Sequence, residues 1–257
     1  MVTADEQRTV LVTGANRGVG LEFVTQYAAR GWTVIAGCRD TKKAQDLQDL
    51  AASDSKITVE PLDVTNVSQI GALASKYDNT AVDVVINNAG QYGDLDRQSW
   101  GSLDPALFHE IMDVNVIGPM KVSEAFTPHL YKGLDKKIVS ITSFLGSISS
   151  VSKSPSTPFY AASKAALNMV MRGIGKRLED KGIAVVVFMP GLVETRMLRQ
   201  TFGLPLEEAE KAENFDYRDL PTITATQSVS GMIPLIDALS LETSGRFLNY
   251  DGKEIPW

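Results

Sequence analysis

Short runs of β-branched and apolar residues recur along this chain, each followed by an amphipathic stretch of helical period. Thr9–Thr13, Thr33–Ala36, Ile57–Val59, Val82–Ile86, Lys137–Ile141 and Ala184–Phe188 read as strands. Their almost unbroken apolarity suits a parallel sheet covered on both faces, because a sheet with one wet face alternates polar and apolar residues. Helical patterns fill the intervals, over Val19–Arg30, Lys42–Ala52, Val67–Lys76, Pro105–Leu130, Tyr160–Asp180 and Thr224–Leu239. Alternation of this length predicts repeated right-handed βαβ units.

The first strand runs into Thr13-Gly14-Ala15-Asn16-Arg17-Gly18-Val19-Gly20 and then into the first helix. Glycines there permit a tight turn and a close approach of backbone to a pyrophosphate, while the helix start offers free N–H groups and a positive dipole. A glycine loop in the first βα turn points to a dinucleotide and argues against a β/α barrel. The expected fold is a Rossmann-type doubly wound parallel sheet, three-layer α/β/α, with about seven strands. No Pro/Gly/Ser linker divides the 257 residues. Residues 1–257 are therefore expected to form one domain, with a substrate lid around 192–221. The serine-rich stretch from Ser140 to Pro158 is expected as a loop at the carboxyl edge of the sheet, where ligands of such folds bind.

The second strand ends Gly37-Cys38-Arg39-Asp40. An acid at this place holds a ribose 2′-hydroxyl, whereas a guanidinium suits a 2′-phosphate. Arg39 here and Arg17 in the glycine loop make NADP(H) the expected cofactor over NAD(H), although Asp40 leaves room for NAD. A net charge of −6 opposes a nucleic-acid or acidic-membrane partner. Cys38 is the single cysteine, which excludes an intrachain disulfide and a Cys-based zinc site, and no metal is expected. Met1–Arg8 is polar without an apolar signal core, and no apolar run reaches the ~20 residues that span a bilayer. The expected setting is the cytoplasm.

Tyr160-Ala161-Ala162-Ser163-Lys164 sets a phenol and an ammonium one helical turn apart, on one face of a helix. A free phenol titrates near pH ~10, and a fixed cation lowers that value toward use as a general acid/base. By itself the spacing fits equally an aromatic packed beside a solvated lysine.

With these motifs in order, the chain resembles the short-chain dehydrogenases/reductases along essentially its whole length. Thr13-Gly14-x-x-x-Gly18-x-Gly20 is similar to the cofactor loop of that family, with Asn16, Arg17 and Val19 inside it. Asp63 and Val64 resemble its adenine-contacting site, and Asn88, Ala89 and Gly90 the segment beside the cofactor. Asn115, Ser143, Tyr160 and Lys164 resemble the catalytic set, and Pro190, Gly191, Val193 and Thr195 the segment flanking the nicotinamide carboxamide. The stretch from Gly245 to Trp257 further resembles the C-factor-like carbonyl reductases. The Ser143-to-Tyr160 interval is longer than is usual in the family, so Ser147 and Thr142 also stand near the serine position. The insertion is shorter than in monomeric carbonyl reductases, which implies a homodimer or homotetramer through the Pro105–Leu130 and Tyr160–Asp180 helices.

The resemblance implies hydride transfer between NADPH and a small-molecule aldehyde, ketone or diketone. Tyr160 would donate the proton, Lys164 would lower the Tyr160 pKa and bond the nicotinamide ribose, and Ser143 would stabilise the growing charge on oxygen. Asn115 would hold a water linking Lys164 to solvent. Ser143, Phe144, Leu145, Tyr92, Leu192, Met197 and Phe202 are candidates for the substrate wall. The alternative is an NADP(H)-binding signalling or scaffold protein with little turnover. A serine hydrolase is poorly supported, because the only histidines, His109 and His129, share one helix. A sugar-nucleotide epimerase also carries Tyr-x-x-x-Lys, but that family has another glycine spacing and a larger C-terminal domain.

Overall fold

In the computed structural model, residues 7–150, 157–201 and 221–257 are described. The strands are β1 (Thr9–Thr13), β2 (Thr33–Cys38), β3 (Ile57–Pro61), β4 (Val84–Asn87), β5 (Lys137–Ile141), β6 (Ala184–Met189) and β7 (Arg246–Asn249). They form one sheet in the order β3-β2-β1-β4-β5-β6-β7, with every pair parallel. The doubly wound fold read from the sequence is the one observed. Its seventh strand begins inside the final stretch that the apolar pattern had left unassigned.

The helices are α1 (Gly18–Ala29), α2 (Gln45–Ser53), α3 (Val67–Lys76), α4 (Pro105–Met112), α5 (Gly118–Lys132), α6 (Pro158–Leu178), α7 (Arg196–Thr201) and α8 (Ala225–Asp237). Successive side chains of a strand point to opposite faces, so each strand feeds two cores. Val10 and Val12 join Phe23, Val24 and Tyr27 of α1 and Met232, Ile233 and Ile236 of α8. Leu11 joins Ile70 and Leu73 of α3, Phe126 and Leu130 of α5, and Leu167 and Met171 of α6 on the other side.

Two predicted helices differ in detail. The Lys42–Ala52 pattern resolves into a 3₁₀ turn, Thr41–Lys43, before α2. Asp40 causes the break: its carboxylate accepts the Lys42 and Lys43 N–H groups and caps the turn. The Pro105–Leu130 pattern is helical throughout but carries a π-turn at Asp113–Ile117 between α4 and α5. Of the span expected as a lid, residues 202–220, with Phe202, lie outside the described residues.

Asp83, just before β4, ties three segments together. Its carboxylate accepts from Thr9 N (2.8 Å), Leu134 N (2.7 Å) and Asp135 N (3.3 Å). Leaving such donors without a partner costs more than a mean hydrogen bond contributes. Asp83→Ala is expected to lower the unfolding free energy by about 3 kcal/mol in urea denaturation.

Candidate active site

All strands of a parallel sheet end on one edge, and the crevice opens where the winding reverses, here between β1 and β4. The loop after β1 is built by close backbone approach. Gly14 and Gly18 take left-handed φ values of +64° and +54°. A Cβ on Gly20 would lie 2.2 Å from the Gly14 carbonyl oxygen, and one on Gly14 would lie 2.8 Å from Ala89 Cα. The Asn88 amide donates to the Thr13 and Gly14 carbonyls (2.9 and 3.1 Å), and the Thr13 hydroxyl accepts from Asn88 N and Ala89 N (3.0 and 3.1 Å). Arg17 is the N-cap of α1, with no side-chain cap bond and no acid in the first turn. Free N–H groups and the helix dipole therefore face this loop, and the glycine cradle fits a pyrophosphate.

The rim of the crevice collects the other cofactor candidates. Arg17 and Arg39 are solvent-exposed. Displacement of water around Arg17, then the like charge of Arg39, lower the Arg17 pKa. Two guanidiniums that feel one another in this way are stabilised by an anion between them. Asp40, the residue that left room for NAD, is committed to its own turn and to Lys43 Nζ at 3.5 Å. Asp63 likewise accepts from the Thr65 N–H and hydroxyl (2.9 and 2.7 Å), and Val64 is buried against Gly118. Across the crevice, Gly191 has φ +87°, Val193 pairs with Ile223, and the Thr195 methyl lies 3.3 Å from where a Gly18 Cβ would sit. The Pro190–Thr195 segment therefore faces the glycine loop. Asn16 and Val19 lie half-buried within that loop.

The structure brings Asn115, Ser143, Tyr160 and Lys164 to the same edge. Ser143 follows β5 and caps a 3₁₀ turn, Phe144–Gly146, by accepting from Leu145 N (3.2 Å). Its hydroxyl lies close enough to the Tyr160 phenol to favour the ionised form of that group. The two neighbouring candidates are engaged elsewhere. Ser147 donates to the Pro256 carbonyl (2.6 Å), and Thr142 faces the Lys164 carbonyl (3.5 Å). Gly146 makes this turn possible, since a Cβ there would lie 2.9 Å from Lys164 C and 3.0 Å from Lys164 Cβ. Lys164 is buried and donates to the Ile141 carbonyl at 2.9 Å, with Nζ 5.7 Å from the centre of the Tyr160 ring.

Asn115 lies in the π-turn and is fully buried. Its amide nitrogen donates to the Gln91 carbonyl and the Ser163 hydroxyl (2.9 Å each), and its oxygen accepts from Gln91 N (2.9 Å). Both N–H donors are thus used within the protein. A π-turn within an α-helix often marks a functional position, and here it delivers this side chain to Gly90. A Cβ on Gly90 would meet Asn115 Oδ1 at 3.4 Å and Lys164 Nζ at 3.6 Å.

Electrostatics depart from the sequence reading in one respect. Burial raises the Tyr160 phenol above its ordinary value; the Ser143 hydroxyl opposes this and Tyr92 adds to it. Burial also pulls Lys164 down to about 8. Desolvation, rather than the charge of the ammonium, sets the direction of the phenol's shift. Phe144 and Leu145, which follow Ser143, and Leu192, which follows Gly191, are exposed apolar side chains, and Met197 Sδ lies 3.9 Å from the Tyr160 oxygen. Tyr92 is instead buried, its ring 4.7 Å from that of Tyr160. Ser163, Gly146 and the Ile141 carbonyl carried no signal of their own in the sequence, since each acts by local fit. Among the described residues, no three His, Cys, Asp or Glu side chains gather as a metal site, and no helix is long and apolar enough to cross a membrane.

The family model for short chain dehydrogenases matches residues 8–203. The chain belongs to the short chain dehydrogenase family. The 1-hydroxy-2-glutathionyl-2-methyl-3-butene dehydrogenase of a Rhodococcus species is 36% identical over 97% of this chain and 99% of its own length. The C-signal protein of Myxococcus xanthus is 34% identical over 72% of this chain and 99% of its own. The crystal structure of the NADPH-bound carbonyl reductase from chicken fatty liver superposes with a TM-score of 0.85 at 33% identity, covering 98% of this chain and 99% of that one. The resemblance to the C-factor and carbonyl reductase branch holds. This short chain dehydrogenase is accordingly an oxidoreductase that uses a nicotinamide cofactor on CH–OH or C=O groups.

The buried ammonium makes the site costly. An unfolded lysine titrates near pH ~10.4, so between pH 8 and that value the unfolded chain of this dehydrogenase holds the extra proton. Lys164 therefore lowers stability below pH 8, and the penalty fades as pH rises. Lys164→Met is expected to stabilise the cofactor-free protein at pH 7 by about 1–3 kcal/mol, with the advantage closing toward pH ~10. Urea unfolding at several pH values measures it.

Proposed function

We propose that the protein is an NADPH-dependent carbonyl reductase, one domain over residues 1–257, acting on an aldehyde, ketone or diketone. The observation that carries this reading is the convergence of Ser143, Tyr160 and Lys164 beside a glycine cradle, with Met197 at the phenol. The cofactor, when bound, supplies the hydride, and the protein orients the carbonyl and handles the proton. Gly14, Asn16, Arg17, Gly18, Val19 and Gly20 would hold the pyrophosphate. Asp63, Val64, Asn88, Ala89 and Gly90 would line the adenosine and ribose side, and Pro190, Gly191, Val193 and Thr195 the nicotinamide side. Arg17 and Arg39 would take the 2′-phosphate, because Asp40 is spent on its own turn.

Ser143 and Tyr160 would both donate to the carbonyl oxygen, so that negative charge develops against two aligned donors. Tyr160 gives up its proton as the alkoxide forms. Burial holds that proton through neutral pH, which suits reduction; the reverse reaction needs the phenolate. Lys164 keeps two N–H groups beyond its bond to Ile141, enough for a ribose hydroxyl and a proton route. The Asn115 amide, with both donors used, keeps one acceptor lone pair for a water on that route. Phe144, Leu145, Leu192 and Met197 favour an apolar substituent on the carbonyl.

The exposed apolar residues Ile117, Tyr131 and Met169 on the α5 and α6 region support association as a homodimer or homotetramer. The sole cysteine is buried, consistent with a reducing cytoplasm. The similarity to C-signal keeps a signalling role with little turnover as the second reading.

An NADPH-oxidation assay across a carbonyl panel separates the two. Turnover is expected with apolar aldehydes or diketones, with kcat/KM at least ~10-fold higher for NADPH than for NADH. Tyr160→Phe is expected to lose ~10²-fold or more in kcat and still bind NADPH. Binding without oxidation across the panel would support the signalling reading.

A further inference from the structure

The first turn of α6 carries Tyr160, yet its own N-cap residue, Thr157, makes no side-chain cap bond. Pro158 has no N–H to satisfy, and Tyr160 is the third residue of the helix, so its N–H has no partner within the helix. That partner comes from 62 residues earlier in the chain. Gln98 Oε1 accepts from Tyr160 N at 3.2 Å, while Gln98 Nε2 donates to the Tyr92 carbonyl (3.0 Å) and the Asp94 carbonyl (3.2 Å). The Gln98 side chain is completely buried, with both donors and its acceptor used.

We propose that Gln98 is a positioning residue, whose amide locks the start of α6, and with it the Tyr160 phenol, onto the loop that leaves the cofactor crevice. The proposal rests on Tyr160 being the proton donor of the reading above. Three further contacts point the same way. The ring of Tyr92, whose carbonyl accepts from Gln98, packs on the Tyr160 ring at 4.7 Å with a 52° tilt. Gly93, between Tyr92 and Asp94, has φ +84°, and a Cβ there would come 2.6 Å from Ile111 Cδ1 and 3.1 Å from Gln98 Nε2, so the turn accepts no side chain. The Tyr160 carbonyl accepts from the Ser163 hydroxyl (2.7 Å), which in turn accepts from Asn115, the residue paired with Gln91.

Both backbone groups of Tyr160 are therefore held by side chains that run back to residues 91–98. The loop is itself braced, since Arg97 Nε and Nη2 reach Asp104 Oδ2 at 2.9 and 2.6 Å. An amide is suited to this clasp because it donates and accepts at once without charge. A methionine of similar length does neither. A displacement of ~1 Å in a proton donor can cost ~10²-fold in rate, so the clasp acts on catalysis while touching neither substrate nor cofactor.

Two readouts test the proposal on the full chain. Gln98→Met preserves volume and removes all three bonds, and Gln98→Ala is the second variant should the first not fold. The expected kinetic result is a ~10- to 100-fold fall in kcat with the NADPH dissociation constant within about twofold of the parent. The second readout needs no turnover: titration of the Tyr160 phenol by its ultraviolet phenolate band, taken as the difference from Tyr160→Phe. Among the described residues, Lys164 and Tyr92 are the ionisable groups packed on that ring, and neither is altered. Loosening the clasp admits water, so the phenol is expected to titrate lower, by about one pH unit. An unchanged kcat, a loss matched by an equal loss of NADPH affinity, or an unchanged phenol titration overturns the proposal. A parent protein that oxidises no NADPH with any carbonyl would sink the functional reading, while the phenol titration would still decide the role of Gln98.

Discussion

Lys164 donates from a buried position to the carbonyl of Ile141, the last residue of β5. This bond fixes α6 to the end of the strand that leads into Ser143. The surrounding geometry follows from how close helix and strand come. Gly146 is needed because the 3₁₀ turn touches the backbone of α6, and Gly90 because the β4 end touches Lys164 and Asn115. Burying an ammonium is unfavourable unless its environment answers it. Here one carbonyl answers it, and the remaining cost appears as a pKa near 8. Strain of this kind is common at sites where activity and stability pull in opposite directions.

Desolvation has a second consequence. The same burial that discharges Lys164 more readily holds the proton on Tyr160. The pair is therefore biased toward an intact phenol. A phenol held in this state is a donor in waiting, which is what reduction of a carbonyl requires. The expectation from spacing alone, a phenol lowered by its lysine, counted the charge and could not count the burial.

The fold was legible because parallel strands buried on both faces read as continuous apolar runs, and six of seven were found that way. The seventh, Arg246–Asn249, is short, and only Phe247 on it is fully buried, so no apolar run announced it. The glycine loop was legible because its backbone approach admits no side chain. Other parts were not. That Ser147 and Thr142, unlike Ser143, are engaged by the Pro256 and Lys164 carbonyls depends on contacts far along the chain. Gln98 lies in an irregular loop with no periodicity, and nothing local marks its reach to α6. The π-turn around Asn115 was equally silent, since the residues keep helical propensity through it. Features set by one residue meeting another far along the chain lie beyond periodicity.

The central claim is that these residues carry out a hydride transfer to a carbonyl rather than merely hold a nucleotide. Transfer of label tests it most directly. Wild-type protein incubated with NADPH deuterated at the reactive nicotinamide carbon and an apolar diketone is expected to yield an alcohol with deuterium on its carbinol carbon, from one face of the nicotinamide alone. Alcohol formed without the label, from either labelled face, or no alcohol at all beside intact bound NADPH, would contradict the account.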